Sequence, residues 1–399
     1  MRNAFTLAAA TVVLGAASLL GALWLERETE IALPVPTGPF AVGRTLCDWA
    51  DDKTLDPLAP VPGTKRELLV WIWYPAEAGK LGAVDDYLPA AIRSHRSGGS
   101  LIFRLLTRDL SKVHGHSVRD ADVSQRQRSY PVVIMRAGAS AGVANYSTLA
   151  EDLASHGYVV VGFDAPYRTT QVVFPDGRVF ERRPENNPEL FSGEDLTRLA
   201  DKLLAAWTAD TAFVLDRLER LNASDPSAKF TGRLDLTRVG MFGHSFGGAT
   251  AAQFCSQDSR CKAVIDLDGS LHGGILQTGI HKPFMFLMSG EGDFSSSAEV
   301  DQIVTDIQSV YNRLPPESRL FVSIRGANHF TFSDDGALLK SGLVREILHV
   351  FGRLRIDGRR QLEITAYCVH SFFDAYLGET KVSRPTIPSP LYPEIQPVE

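Results

Sequence analysis

The chain has 399 residues, of which 44% are hydrophobic and 22% are charged, and its formal net charge is -6. This composition is that of a globular protein, and the length suffices for one large domain with appendages or for two smaller domains. The negative charge argues against nucleic acid as a partner, and the four cysteines lack the spacing of a zinc site, so we expect neither a metal ion nor another cofactor.

The N-terminal segment has the character of a targeting sequence. No charged residue occurs between Ala4 and Leu25, whereas charged residues lie on both sides of this run. Such a run is typical of a membrane-targeting segment whose N-terminus stays inside. No pair of small residues suited to signal cleavage follows it, which favours an uncleaved anchor over a removable signal peptide. We therefore expect residues 1–27 to anchor the protein at a membrane with its bulk outside the cytoplasm, or to direct its secretion.

Two segments that contain proline frame the rest of the chain. Residues 28–36 are predicted to be a linker, because proline cannot extend a helix. Residues 381–399 are predicted to be an extended, proline-rich tail on the surface. Residues 37–380 contain no internal repeat, and we expect them to form one α/β domain.

Within residues 37–380, short runs of β-branched and aliphatic residues alternate with helical stretches. This alternation is typical of a mostly parallel central sheet with helices on both faces. The spacing of apolar residues also predicts a long helix over 194–221 and a closing helix over 362–377. The predicted strands are Glu67–Tyr74, Pro131–Met135, Val159–Phe163, Arg238–Phe242, Ala263–Leu267, Phe284–Met288 and Leu320–Ile324.

Two matches to the pattern Gly-x-Ser-x-Gly follow predicted strands, one centred on Ser140 and the other on Ser245. In such an elbow a strand turns sharply into a helix, which strains the serine backbone and presents its hydroxyl at the carboxyl edge of the sheet. The helix N-terminus then favours the negative charge that develops during acyl transfer. The first match comes too early in the sheet, whereas the second follows a later strand and leaves an acid and a histidine downstream in the order Ser, Asp, His. We therefore predict that Ser245 is a nucleophile.

The first match occupies the place from which hydrolases with such an elbow donate a backbone N–H to the oxyanion. Its glycines and small side chains permit close approach of the backbone. We expect Ala139 to supply one N–H and Phe246, the residue after the nucleophile, to supply the second. The alternative is that residues 138–142 form only a tight turn between a strand and a helix.

A serine hydroxyl becomes a strong nucleophile only when a neighbouring imidazole takes its proton. His329 follows the last predicted strand and a short turn, where the final loop would reach back over the elbow. His244 is beside the serine in the sequence, but we expect its ring to point away. His329 is therefore the predicted general base.

The acid that orients the histidine has two candidates, because Asp268 and Asp293 follow successive predicted strands. Both positions are used in this class of fold, so sequence position leaves the choice open. Asp266 lies inside a strand and is expected to be structural.

Cys255 and Cys261 lie close together around a predicted turn from a helix to a strand. A local disulfide bond would fit an exported domain, and two free buried thiols would fit equally well.

Three segments of the sequence resemble the plasma-type platelet-activating factor acetylhydrolase family. They are the elbow Gly243–Thr250, the histidine loop 324–329 with the pattern Ile-Arg-Gly-x-x-His, and Asp152–Gly157. The resemblance extends from about Thr37 to Phe373. One departure is the Ala137–Gly138 dipeptide, where the family has His-Gly ahead of its oxyanion residue.

The resemblance implies an α/β-hydrolase fold and a calcium-independent lipase that removes short sn-2 acyl groups from phospholipids. In that family the acid follows the strand after the elbow, which implies Asp268 rather than Asp293. We therefore predict a serine ester hydrolase that acts through an acyl-serine intermediate on an ester or phospholipid substrate, without metal or cofactor. The alternatives are a hydrolase of the same fold for polyesters or small esters, and a catalytically silent, membrane-tethered binding module.

Overall fold

The computed structural model describes residues 2–77, 84–96, 104–290, 298–351, 354–378, 387 and 389–398. The described helices are α1 (Arg2–Glu28), α2 (Ala90–Arg96), α3 (Ser147–Ser155), α4 (Gly193–Ala223), α5 (Phe246–Gln257), α6 (Ile275–Thr278), α7 (Ala298–Arg313), α8 (Gly342–Val350) and α9 (Gly358–Leu377). The described strands are β1 (Ile31–Ala32), β2 (Ala41–Leu55), β3 (Lys65–Ala76), β4 (Val84–Asp86), β5 (Val113–Arg119), β6 (Tyr130–Arg136), β7 (Val159–Asp164), β8 (Gln171–Val173), β9 (Val179–Glu181), β10 (Leu234–His244), β11 (Cys261–Leu267), β12 (Phe284–Ser289), β13 (Arg319–Ile324) and β14 (Ile395–Pro397).

One large sheet organises these elements. Its strands lie in the order β1-β5-β2-β3-β7-β6-β10-β11-β12-β13-β14, with β4 paired to β5. Every neighbouring pair from β7 to β13 is parallel, whereas β3 is antiparallel to both β2 and β7. The short strands β8 and β9 form a separate antiparallel pair. The mostly parallel sheet is therefore confirmed, and each predicted strand lies within an observed one.

The sheet has a hydrophobic core on each face because its central strands alternate between them. In β6, Val133 and Met135 pack in one core cluster, while Val132 and Ile134 pack in the other. Helices α3 and α9 cover the first cluster, and α4, α5 and α7 cover the second. Burying a Val or Met side chain stabilises a fold by about 1.5–3 kcal/mol, so continuous apolar strands are what this two-sided arrangement requires. The long helix predicted over 194–221 is confirmed as α4, and the closing helix as α9.

Helix α1 leaves the apolar side chains of its described part mostly exposed to solvent, while its C-terminal end is attached to the domain. The Glu26 carboxylate accepts hydrogen bonds of 2.8 and 2.9 Å from the backbone N–H of Gly342. The buried Arg27 guanidinium donates to the carbonyl oxygens of Arg104 and Thr107 at 2.8 and 3.1 Å. Within the described residues, none of the helices combines the length and the hydrophobicity that crossing a bilayer requires.

Five described strands of the large sheet were not predicted from the sequence, namely β1, β2, β4, β5 and β14. β2 is long, but polar and charged residues interrupt it, and the first half of β5 alternates between buried and less buried residues, so neither stands out as an apolar run. The C-terminal tail also returns to the sheet, where β14 pairs antiparallel with β13 and buries Ile395. The expectation that the tail lies wholly on the surface is therefore wrong for this strand.

Cys255, at the end of α5, and Cys261, at the start of β11, form a disulfide bond. Cys47 and Cys368 are free. The alternative of two free thiols at positions 255 and 261 is therefore not what the structure contains.

Candidate active site

Ser245 occupies a strained turn between β10 and α5. Its φ of 55° and ψ of -124° lie where side chains other than glycine are rarely found. The turn is tight enough that a Cβ atom on Gly243 would collide with the backbone of Gly247, and one on Gly247 would collide with the carbonyl oxygens of Arg136 and Ala137. The two glycines of the motif are therefore required by the close approach of the backbone. The elbow that the sequence predicts at Ser245 is present.

His329 and Asp268 come together at the carboxyl edge of the same sheet. Asp268 directly follows β11, and His329 begins a short 3-10 helix after β13. His329 Nδ1 lies 2.8 Å from Asp268 Oδ2. The Asp268 side chain is buried, whereas 38% of the His329 side chain is exposed. The Asp268 carboxylate is thus enclosed by protein, whereas the His329 imidazole is partly exposed to solvent.

Two further hydrogen bonds fix the Asp268 carboxylate. Ser289, at the end of β12, donates to Oδ1 from its backbone N–H at 2.7 Å and from its hydroxyl at 2.9 Å. Burial by itself would raise the pKa of the Asp268 carboxyl, but the hydrogen bonds from His329 and Ser289 hold that pKa below its usual value. An ionised carboxylate must receive the Nδ1 proton of His329, which leaves Nε2 as the basic nitrogen. Ser289 is a supporting residue that the sequence analysis missed.

His244 and Tyr146 form a second support beneath the elbow. The Tyr146 hydroxyl accepts a hydrogen bond from the backbone N–H of Gly138 at 3.2 Å and lies 2.8 Å from His244 Nδ1. Burial lowers the pKa of His244 to about 3, so its ring is neutral and Nδ1 can accept a hydrogen bond from the tyrosine hydroxyl. The ring centroids of His244 and His329 are 4.6 Å apart. The expectation that His244 points away is therefore wrong, because its ring packs against that of His329.

The loop that contains Gly138 and Ala139 packs directly against the elbow. A Cβ atom on Gly138 would lie 3.2 Å from His244 Nδ1 and 3.4 Å from Ser245 Cβ. Ala139 is held from the other side, since its carbonyl oxygen accepts a 2.9 Å hydrogen bond from Arg182. In the part of the chain that the structure describes, neither Ala139 nor Phe246 uses its backbone N–H in a hydrogen bond. Both groups are therefore available as donors, as an oxyanion site requires.

A cavity of about 530 Å³ opens at the elbow, beside the loop that contains Ala139. Ser245, His329 and the loop 138–141 line it. The described residues contain no hydrogen bond between the Ser245 hydroxyl and the His329 imidazole. Catalytic hydrogen bonds of this type often tighten only when substrate is bound.

The cavity wall has more basic than acidic side chains, although three of the basic ones are paired with carboxylates, including Arg27 with Asp109 at 3.5 Å. Four basic side chains line it, and Asp335 is its one lining carboxylate among the described residues. Asp335 is paired with Lys340 at 2.8 Å, and Glu26 contacts Arg108 at 3.4 Å. Arg104 is exposed. The basic residues are Arg27, Arg104, Arg108 and Lys340.

The other residues considered in the sequence have different surroundings. The Ser140 hydroxyl is hydrogen-bonded to Glu189. The first Gly-x-Ser-x-Gly match forms part of the cavity wall. Burial raises the pKa of Asp266 well above its ordinary value, and its carboxyl lies next to Gly248 beneath the elbow. Asp293, the second candidate for the acid, lies outside the described residues.

The chain matches the model of the protein family described as platelet-activating factor acetylhydrolase, isoform II. The match covers residues 27–170 and 217–383.

Individual proteins give a consistent result. The chain is 27% identical over 393 residues to a protein named "Probable 1-alkyl-2-acetylglycerophosphocholine esterase" from Arthroderma benhamiae, covering 92% of this chain and 94% of that protein. It is 24% identical over 266 residues to the platelet-activating factor acetylhydrolase of Cavia porcellus, covering 63% of this chain and 58% of that protein. Among solved structures, a ferulic acid esterase from Streptomyces cinnamoneus aligns with a TM-score of 0.72 at 25% identity, over 92% of this chain and 99% of that one.

The Tyr146 support yields a testable prediction. We expect Tyr146→Phe to lower kcat/KM for a soluble nitrophenyl ester about tenfold, because one hydrogen bond that holds the Gly138 loop is lost. Tyr158→Phe is the matched control, since the hydroxyl of Tyr158 bonds to Asp374 and does not line the cavity. Equal losses in the two variants would show that Tyr146 has no specific part in the site.

Proposed function

We propose that the chain, which belongs to the family platelet-activating factor acetylhydrolase, isoform II, releases short sn-2 acyl groups from phospholipids. The chain is a carboxylic ester hydrolase with an α/β-hydrolase fold. The observation that best supports the proposed mechanism is the hydrogen bond of the buried Asp268 carboxylate to His329, whose side chain lines the same cavity as the strained Ser245.

In the proposed reaction, Ser245 Oγ attacks the ester carbonyl while His329 Nε2 takes the hydroxyl proton. Asp268 keeps the proton of His329 on Nδ1 and stabilises the imidazolium cation. The backbone N–H groups of Ala139 and Phe246 donate to the oxyanion of the tetrahedral intermediate. The ester C–O bond then breaks, the leaving alcohol takes the proton from His329, and the acyl group stays on Ser245. Water, deprotonated by His329, hydrolyses this acyl-serine and releases the carboxylic acid.

The charge of the cavity supports a substrate that carries a phosphate. Arginine and lysine side chains bind phosphate oxygens through charge-assisted hydrogen bonds. Arg104 is exposed at the cavity, whereas Arg27 is buried and already donates to backbone carbonyls. We propose that the Arg104 side chain binds the phosphodiester of the substrate.

A hydrolase for a different ester is the second candidate. The ferulic acid esterase aligns over almost its whole length, and an aromatic acid ester is uncharged at the position where a phospholipid carries phosphate. A basic cavity wall would add little to the binding affinity of such an uncharged substrate, so the charge distribution favours the phospholipid.

We further propose that the N-terminal segment holds this active site at a membrane. The described part of α1 exposes several large apolar side chains, and its last residues reach the cavity, since Arg27 lines it. A tether raises the local concentration of a lipid substrate without any new contact to the catalytic residues. The exposed apolar residues are Val12, Val13, Leu14, Leu19, Leu20, Trp24 and Leu25.

The mechanism predicts a specific order of mutational effects. We expect Ser245→Ala to reduce turnover to background and Asp268→Asn to lower kcat roughly 10⁴-fold, because the amide favours the wrong imidazole tautomer. Asp293→Asn is the matched control and should change kcat less than about threefold. Steady-state rates with a soluble nitrophenyl ester give the comparison, and a larger loss in Asp293→Asn than in Asp268→Asn would refute the assigned acid.

The substrate assignment predicts a loss that depends on phosphate. We expect Arg104→Gln to raise KM about tenfold for a short-chain phosphatidylcholine and to leave KM for nitrophenyl acetate within about twofold, because one charged hydrogen bond is removed. Arg198→Gln, an exposed arginine on α4 that does not line the cavity, is the control. A faster turnover of feruloyl esters than of the phospholipid, with no effect of Arg104→Gln on either, would favour the second candidate.

The tether predicts where the protein is found after cell lysis. We expect the full chain in the membrane fraction and a variant lacking residues 2–20 in the soluble fraction, with unchanged turnover of nitrophenyl acetate, because Glu26 and Arg27 keep their contacts. Leu14→Lys/Leu20→Lys preserves the length and should also weaken membrane association, because each lysine replaces an exposed apolar side chain with a charge. A full chain recovered entirely as soluble protein, with its N-terminal residues intact, would contradict the proposal.

A further inference from the structure

A cluster of possible metal ligands lies outside the cavity that holds Ser245. Asp152 is in α3, His156 directly follows that helix, and His370 is in α9. Their nearest oxygen and nitrogen atoms all lie within 4.8 Å of one another. His370 Nδ1 is 3.0 Å from Asp152 Oδ2, and His156 Nε2 is 3.9 Å from the same oxygen. Ligand atoms of a tetrahedral zinc ion are about 3.4 Å apart, so these separations are close to what an ion requires.

Thr37 supports the cluster from outside. Its backbone N–H and its hydroxyl donate to Asp152 Oδ1 at 2.9 and 2.8 Å. The same hydroxyl lies 2.8 Å from His156 Nε2, a contact that a bound ion would replace. This arrangement fixes the carboxylate and leaves Oδ2 facing the two histidines. Outer hydrogen bonds of this kind orient the ligands of natural metal sites.

The cluster is also accessible to an ion. The exposed fraction of the side chain is 4% for Asp152, 13% for His370 and 20% for His156. The two imidazole rings are stacked with their centroids 4.0 Å apart. An ion would enter from the side of the histidines, whose rings must tilt so that both lone pairs converge on it.

We propose that Asp152, His156 and His370 form a binding site for a divalent transition-metal ion, with zinc as the best match. Two imidazole nitrogens and one carboxylate oxygen are a ligand set that zinc accepts, and water completes the tetrahedron. The ion would join α3 to α9 and, through Thr37, to the start of the folded domain. None of its ligands lines the cavity with Ser245, so the ion would link the two helices and take no part in the chemistry of the serine.

Zinc binding to the full chain tests this site directly. After equilibrium dialysis against dilute zinc chloride, we expect about one zinc ion per chain by elemental mass spectrometry. The wild-type melting temperature should rise with zinc and fall again with chelator. In His370→Ala and His156→Ala, the dissociation constant should rise at least about tenfold and the thermal shift should disappear.

A histidine elsewhere on the surface serves as the control. His95→Ala removes an exposed imidazole of α2 and should leave both the stoichiometry and the thermal shift unchanged. Circular dichroism verifies that each variant is folded, and His156→Ala, the more exposed of the two ligands, suffices if His370→Ala does not fold. A wild-type chain that retains no zinc, or zinc binding that is unaltered in the histidine variant, would overturn the proposal.

Discussion

The hydrogen bond between Asp268 and His329 is the interaction on which the candidate active site depends. A buried carboxylate without a partner costs several kcal/mol, so an acid enclosed at the sheet edge needs strong donors. His329 supplies one, and Ser289 supplies two more from the end of the neighbouring strand. The bond therefore fixes the position of the acid and the tautomer of the imidazole together. Without it, the imidazole would have no defined basic nitrogen to turn towards Ser245.

The order of the parallel strands explains why these residues meet. β10, β11 and β12 are neighbours in the sheet, so Ser245, Asp268 and Ser289 lie side by side at their carboxyl ends. Both Ser245 and Asp268 have positive φ angles, which cost of order 1–3 kcal/mol each. Hydrogen bonds between adjacent strands offset this strain, since the N–H of Ser245 donates to Leu267 and that of Asp268 donates to Leu287, both across the sheet. The sheet thus holds two strained residues in the geometry that the chemistry needs.

The sequence predicted the central strands and the elbow because both leave local signals. An apolar run is continuous in the chain, and the glycines of the elbow surround the serine that they accommodate. Residues that act through tertiary contacts leave no such signal. Tyr146 and His244 are 98 positions apart, and Asp152 and His370 are 218 positions apart. The spacing of Cys and His residues along the chain accordingly indicates no metal site, although the fold brings three candidate ligands together. For the same reason the choice between Asp268 and Asp293 rested on a family resemblance.

Phosphonylation by a fluorophosphonate probe, followed by mass spectrometry of the peptides, tests the central claim most directly. The probe reacts only with a serine whose hydroxyl has been activated, and the chain contains two serines in matching Gly-x-Ser-x-Gly contexts. An imidazole positioned by Asp268 predicts one adduct, on the peptide that contains Ser245, and its disappearance in His329→Ala. An adduct on Ser140 instead, or labelling of Ser245 at an undiminished rate in His329→Ala, would contradict the account.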